Sequence, residues 1–338
     1  MKKNPVLFFV IFVQFLIVSC AYSAEIAGSA SVQMDNAETI IYGEAKRGGL
    51  MERLNDLESV LFGRSLPGSL SERQLQLLHF IKSGSSEQPS LLFKLGVAEW
   101  GLSQSIQPFT PALGRLQKLE QELDGFIQEG KPVAMRVERV LSMLLTDPVT
   151  QVELEISSDK TVRAQFLEDI GPGTSRKGDR VRMELLEDYM MDNCLVAPKG
   201  SQIVSEVTAV VRPGAFGRRG EVKLELKHLQ ILGPEEPKVK FVDPKQLTGR
   251  GEKNLAAAVG ASLGAAFLLG PLGLATGLLI RGESLDIKNG TQFFVQLDKS
   301  RLSVFPIPSG LRLNDNSSGD GISDFDNSNE ILIPSTPE

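Results

Sequence analysis

Arg53-Leu54-Asn55-Asp56-Leu57-Glu58 recurs 62 residues further on as Arg115-Leu116-Gln117-Lys118-Leu119-Glu120, and this pattern decides how the first half of the chain is read. Each copy has a basic residue, an aliphatic residue, two variable positions and a second apolar residue. Looser copies are Lys94-Leu95-Gly96-Val97-Ala98-Glu99 and Arg136-Val137-Glu138-Arg139-Val140-Leu141. A degenerate copy starts at Arg73, where Gln74 replaces the aliphatic residue and Leu77 keeps its place. The basic residues therefore recur every 20 or 21 positions, at 53, 73, 94, 115 and 136. Leu50, Leu54, Leu57 and Leu61 fall on one helical face, as do Val133, Val137, Val140 and Leu144. A step of this size holds one helix and a turn. A single such helix cannot bury its own stripe, so the units are expected to stack into an array over residues 41–147. An ordinary helical bundle is the plainer alternative. Ser69 with Glu72 reads as a capping box, and Thr110 as a cap before Pro111. The repeated basic residue is expected to lay its alkyl stem over the apolar stripe and keep its charge in water.

Outward from this array, the N-terminus is a leader. Lys2 and Lys3 precede an apolar run from Val6 to Val18, too short to span a bilayer, and small residues follow. Residues 1–24 are expected to be a signal peptide, placing the protein in the periplasm or outer membrane of a bacterial envelope. Two processing readings stand side by side. Ala21-Tyr22-Ser23 is a small-x-small cleavage site. Ile17-Val18-Ser19-Cys20 resembles a bacterial lipobox, which makes Cys20 a lipidation candidate. Residues 25–40 are small and polar and are expected to form a flexible linker.

Past Asp147-Pro148 the period changes to two. Val152, Leu154 and Ile156 alternate with polar residues, as do Val181, Met183 and Leu185; Val207, Ala209 and Val211; Val222, Leu224 and Leu226; and Phe293, Val295 and Leu297. Turn clusters separate them. Residues 148–305 are thus expected to be an antiparallel β-barrel or sandwich, giving an α+β chain. Within it, Asn254 to Ile280 carries no charged residue, while Lys253 and Arg281 close the ends. Gly260 and Gly264 are four apart, as are Gly273 and Gly277, a spacing that lets helix backbones approach closely in lipid. The stretch 254–280 is expected to be an apolar helical hairpin broken near Gly270-Pro271 and in contact with outer-membrane lipid; a hairpin packed on the barrel is the alternative. From 306 to 338 the chain is polar and expected to be disordered. There, Gly319-Asp320-Gly321-Ile322-Ser323-Asp324-Phe325-Asp326 resembles half of a thrombospondin-type calcium repeat, with a solvated tail as the simpler reading.

The run from Val196 to Lys223 resembles the C-terminal domain of the TrbI-like proteins of conjugation and type IV secretion. The likeness rests on the turn Pro198-Lys199-Gly200-Ser201 opening a strand and on Gly214-Ala215-Phe216-Gly217-Arg218-Arg219-Gly220 joining it to the next. It spans residues 150–305. It implies a small β-barrel with an apolar helical pair that crosses the outer membrane. Unlike that family, this chain shows no long proline-rich spacer.

The chemistry-bearing residues are few. His79 and His228 are the only histidines, and each reads as packing or surface. With Cys20 processed, Cys194 has no partner and reads as an inert buried thiol. Glu184, Glu187 and Asp188 read as a solvated strand end, and Leu91, Leu92, Phe93 and Trp100 as core anchors, with a partner-docking patch as the second reading. No catalytic, metal or cofactor site is expected. The net charge of −6 gives no support for a nucleic-acid partner, and none is expected. The expected function is a non-enzymatic structural or scaffolding role at the outer membrane, with envelope proteins meeting the helical array and a homo-oligomer as the further partner. The alternative is a subunit of an oligomeric export channel.

Overall fold

The computed structural model describes residues 30–214, 220–242, 267–268, 277–282 and 287–308. Among them, six α-helices come first: α1 over 30–42, α2 Leu50–Phe62, α3 Leu70–Leu78, α4 Leu91–Ser103, α5 Ala112–Asp124 and α6 Val133–Leu144. The expected linker is thus corrected over most of its length. Residues 30–42 are helical because Met34, Ala37 and Ile41 form an apolar stripe, and all three are buried.

Local chemistry sets the helix ends. Gly63 and Gly125 close α2 and α5 in the left-handed region, at φ 71° and 76°. The capping box at α3 is present: Ser69 Oγ accepts from Glu72 N–H, and Glu72 Oε2 accepts from Ser69 N–H. Thr110 does not cap α5. Pro111 stands at the cap position and the helix starts at Ala112, with no side-chain cap. After α3 the chain widens into a π-helical turn, His79–Ser83, stopped by Gly84. A Cβ at Gly84 would lie 2.3 Å from the Ser90 amide nitrogen, so only glycine fits.

Both predicted stripes face inward. Leu54, Leu57 and Leu61 on α2 and Val133, Val137 and Val140 on α6 are buried, while Leu50 and Leu144 are half-buried at the ends. The units do not extend as an open solenoid. Helix α2 packs on α6, with Gly63 against the Pro132 ring, so the array closes on itself. Helix α4 lies at its centre. Every residue from Phe93 to Trp100 is buried, and the helix packs on α5, α6 and the π-helical turn.

Twelve strands follow among the described residues, all antiparallel where paired: β1 Val152–Ile156, β2 Thr161–Phe166, β3 Met183–Leu185, β4 Tyr189–Met191, β5 Cys194–Ala197, β6 Gln202–Val211, β7 Gly220–Leu229, β8 Val239–Val242, β9 Phe267–Leu268, β10 Gly277–Gly282, β11 Gln292–Leu297 and β12 Ser300–Pro306. One sheet runs β8-β11-β2-β3-β6-β7-β10-β9, and its β8-to-β7 part nearly closes. Leu229 N–H donates to Pro237 O at 3.0 Å and His228 bridges Lys238, which brings β7 back to β8. Phe166, Phe241 and Phe293 fill the interior, with Phe293 4.7 Å from Phe166 and 5.1 Å from Phe241. A second sheet, β1-β12-β5-β4, flanks the barrel.

The apolar stretch 254–280 differs from the expected helical hairpin at its C-terminal end. Gly277–Ile280 belong to β10, paired with β7 and β9, so Gly277 sits in a ladder and not on a helix. A strand that continues an existing sheet satisfies every backbone group along one edge, which competes well with a short isolated helix. Gly260, Gly264 and Gly273 lie outside the described residues, as do Cys20 and the tail from 309.

Candidate functional site

Four buried ion pairs run through the helical array with one geometry. Arg53 donates from Nε and Nη2 to Glu38, the shorter contact at 2.6 Å. Arg73 does the same to Glu58 at 3.0 and 2.6 Å, Arg115 to Glu99 at 2.8 and 2.7 Å, and Arg136 to Glu120 at 2.8 and 2.6 Å. Each carboxylate also accepts a backbone N–H from eight residues further along: Lys46, Leu66, Gln107 and Gln128. One glutamate thus holds the start of the following connection and the next helix together. The planar guanidinium fork matches a carboxylate with two parallel bonds, which lysine cannot do. The expectation that these cations stay wet is corrected: the four arginines are 6–9 % exposed and their glutamates 0–7 %. The hydrogen bonds that Arg53 donates to Glu38, aided by that to Asp35, keep the Arg53 pKa above its ordinary value despite desolvation.

The rule that places these partners is visible in the repeat. The glutamate stands five residues after the basic residue of its own unit, as in Arg53–Glu58, Lys94–Glu99 and Arg115–Glu120. Two units depart from it. Five residues after Arg73 stands Leu78, and Lys94, whose partner this would have been, instead reaches Glu138 of α6 at 2.5 Å. Both members of that rung are replaced, and the π-helical turn falls at the same place. After Arg136 the position is Leu141, which is buried, and no further helix follows among the described residues to need a carboxylate.

The array meets the β-structure at α4. Trp100 is fully buried, donates Nε1–H to Asp188 Oδ2 at 2.8 Å and meets the Phe305 ring edge-on at 6.2 Å. Asp188 Oδ1 accepts Lys199 N–H at 2.7 Å. Ile106 N–H donates to Lys199 O at 2.9 Å, and a Cβ at Gly200 would be 2.5 Å from Ile106 O. The loop 230–236 presses Leu232 onto Gly96, where a Cβ would be 2.5 Å from Leu232 Cδ2. The strand-end acids are therefore not merely solvated. Asp188 joins the two structural halves, Glu187 accepts from Arg163, and Glu184 accepts from Gln165. Beside this junction lies an open cleft of about 470 Å³ between α1, α4, the Ile106–Pro111 connection and the loop 230–236. Phe109, 44 % exposed, lines it together with Lys82, Glu235 and Glu236. Glu235 is engaged by Ser303 N–H and Oγ at 3.0 and 2.7 Å.

The remaining singled-out residues lie apart. His79 opens the π-helical turn, and His228 lies 3.6 Å from Glu236. Cys194 is buried and free; burial, then the charge of Asp192, raises its thiol pKa and disfavours the reactive thiolate. Leu91, Phe93 and Trp100 are core residues, as expected, and Leu92 lines the cleft. Among the described residues no group of three or more His, Cys, Asp or Glu side chains is arranged to hold a metal, and no helix is long and apolar enough to cross a membrane.

Two phenols carry a pH signature. The hydroxyls of Tyr42 and Tyr189 are buried without a hydrogen-bond partner, and burial first, then nearby carboxylates, pushes both pKa values up to about 12. The folded state therefore holds these protons more tightly than the unfolded chain. Their stabilising contribution is complete below about pH 10, the ordinary phenol value, and is lost as pH rises through about 12. Absorbance titration at 295 nm should show Tyr42 and Tyr189 ionising only near the upper end of that window in native protein. Ionisation of both near pH 10 without unfolding would contradict the buried placement.

The fold and junction define an α+β class: a closed helical array cross-linked by buried ion pairs and fused to a nearly closed antiparallel barrel. No family model, curated protein or solved structure matches this chain.

Proposed function

We propose that this chain is a non-enzymatic cell-envelope protein with a structural or scaffolding role at the outer membrane, its helical array meeting other envelope proteins. The observation that carries this reading is the division of labour in the array. The arginine–glutamate pairs fix the interior, while Met135 and Met143, two turns apart on α6, stand 62 % and 44 % exposed on the last helix of the series. Methionine on a rigid exposed face suits adaptable apolar contact with a partner. The exported leader and the charge-free stretch 254–280 support placement at a membrane, with Cys20 as the lipidation candidate and Gly260, Gly264 and Gly273 as close-approach points. The second reading is a subunit of an oligomeric export channel. The continuation of β7 by β10 favours it, since the barrel and the apolar stretch are then one structural piece.

Fractionation with labelled palmitate, comparing the native chain with Cys20→Ala, tests the placement. Label on the native chain alone, with both forms in the outer-membrane fraction, is expected. Release of both forms into the soluble fraction would refute the lipid anchor and the membrane segment together. A closed ring by light scattering, with conductance in bilayers, would select the channel reading; a monomer would remove it.

A further inference from the structure

The connection between β2 and β3 carries Arg176, Lys177 and Arg180 within five residues, and Arg212 lies just past the end of β6. All four are exposed, and none forms an ion pair among the described residues. The fold brings them to one end of the barrel. Gly178 N–H donates to Val207 O at 2.8 Å and Val207 N–H donates to Asp179 O at 2.9 Å, which clamps the connection along β6. Arg180 bridges Glu206 through the backbone. Further along, a Cβ at Gly220 would lie 2.7 Å from the Pro172 ring and 3.0 Å from Pro213 Cδ, so the connection also packs on the start of β7 beside Arg212. Of the nearby acids, Glu221 lies 3.8 Å from Lys223, Glu206 shares Lys227 with Glu225 at 3.7 and 2.8 Å, and Asp179 accepts Arg176 N–H at 2.6 Å, which leaves the cations in excess at this end.

A separate observation points to the same end. Gly277–Gly282 pair with Gly220–Glu225 of β7, in a register that sets Gly282 opposite Gly220. The charge-free stretch ending at Ile280 therefore rejoins the barrel where these cations gather. In a chain of net charge −6, a local surplus of cations next to such a stretch is not what composition supplies.

We propose that this end of the barrel is a docking surface for an anionic phospholipid bilayer, with Arg176, Lys177, Arg180 and Arg212 meeting headgroup phosphates. The inference deepens the membrane placement argued above and rests on it. A cation held near an anionic membrane surface strengthens binding by about fivefold, and several act together. The effect weakens as salt screens it.

The test uses the Cys20→Ala form, so that no acyl chain contributes, and flotation with two kinds of vesicle: phosphatidylcholine alone, and equal parts phosphatidylcholine and phosphatidylglycerol. Binding to the anionic vesicles should be at least about tenfold tighter and should fall with added salt. The variant Arg176→Glu/Lys177→Glu/Arg180→Glu should lose at least about tenfold of that affinity. The variant Arg47→Glu/Arg64→Glu/Lys131→Glu makes the same change in net charge on exposed residues of the helical array and should stay within about twofold of the parent. Circular dichroism checks that each variant folds, and the milder Arg176→Gln/Lys177→Gln pair gives an intermediate loss if the triple variant does not. Equal binding to both vesicle types, unchanged by the triple variant, would overturn this inference and leave the membrane placement standing. Equal losses in both triple variants would overturn it as well. No binding to either vesicle would overturn both.

Discussion

Glu120→Leu is expected to destabilise the protein by about 3–5 kcal/mol, because it strands the buried guanidinium of Arg136 without its counter-charge. Glu120 is 1 % exposed and Arg136 6 %, so neither solvent nor another described acid can take over. The informative comparison is the double variant Glu120→Leu/Arg136→Met. Removing both charges also removes the cost of holding them out of water, and buried pairs replaced by apolar residues of similar volume are often neutral or better. One deficit remains in the double variant: Gln128 N–H loses its acceptor, a cost of about 1–3 kcal/mol for a buried group. Urea unfolding followed by circular dichroism should therefore give a large loss for the single variant and a much smaller one for the double. If the two lost the same amount, the glutamate would be acting through its backbone contact alone. If the single variant lost under about 1 kcal/mol, the ladder would not be holding the array.

The second large effect is at the junction. Trp100→Ala should cost about 3–5 kcal/mol, the range for deleting a large buried aromatic side chain. It removes the ring packed on Phe305 and the bond to Asp188 at once. Asp188→Asn separates the two terms. The amide has one acceptor and one donor end, so either the Trp100 Nε1–H or the Lys199 N–H faces a donor, and the expected loss is about 1.5–3 kcal/mol. Trp100 is the single tryptophan of the chain, so its emission reports on this junction alone. In the parent and in Asp188→Asn, the red shift of that emission on urea addition should coincide with the loss of both helix and sheet signals. An emission shift that precedes the loss of secondary structure would mean that the two halves part before they unfold, and that the junction contributes little to either.

The array is legible because a 20- or 21-residue step with an apolar stripe on each unit leaves few other ways to bury Leu54, Leu57, Val137 and Val140. The strands are legible because Val207, Val222, Leu224, Phe293 and Val295 alternate with polar residues over long enough runs to choose a face. The role of the glutamates is hidden although Glu58, Glu99 and Glu120 close the quoted repeat units. A single unit shows a cation and an acid five residues apart, which do not face each other on one helix; the partners meet only between successive helices. Residues 30–42 escape a sequence reading because their small and polar residues hide a stripe of Met34, Ala37 and Ile41, which gains its value from helices that come later. Asp188 reads as solvated because nothing near it in sequence needs a carboxylate; its partner Trp100 is 88 residues away.

What the amino-acid order determined alone was periodicity: where helices give way to strands, which face of each is apolar, and where glycine must end or bend an element. Those are local consequences of backbone geometry and of the free energy of removing apolar surface from water, and they need only neighbours in the chain. The tertiary structure decided which charges are buried and with whom, how the array closes through α2 on α6, and that Gly277–Ile280 extend a sheet. These depend on groups far apart in sequence, where the cost of desolvating a charge or leaving a backbone group unpaired is settled only when the partner arrives.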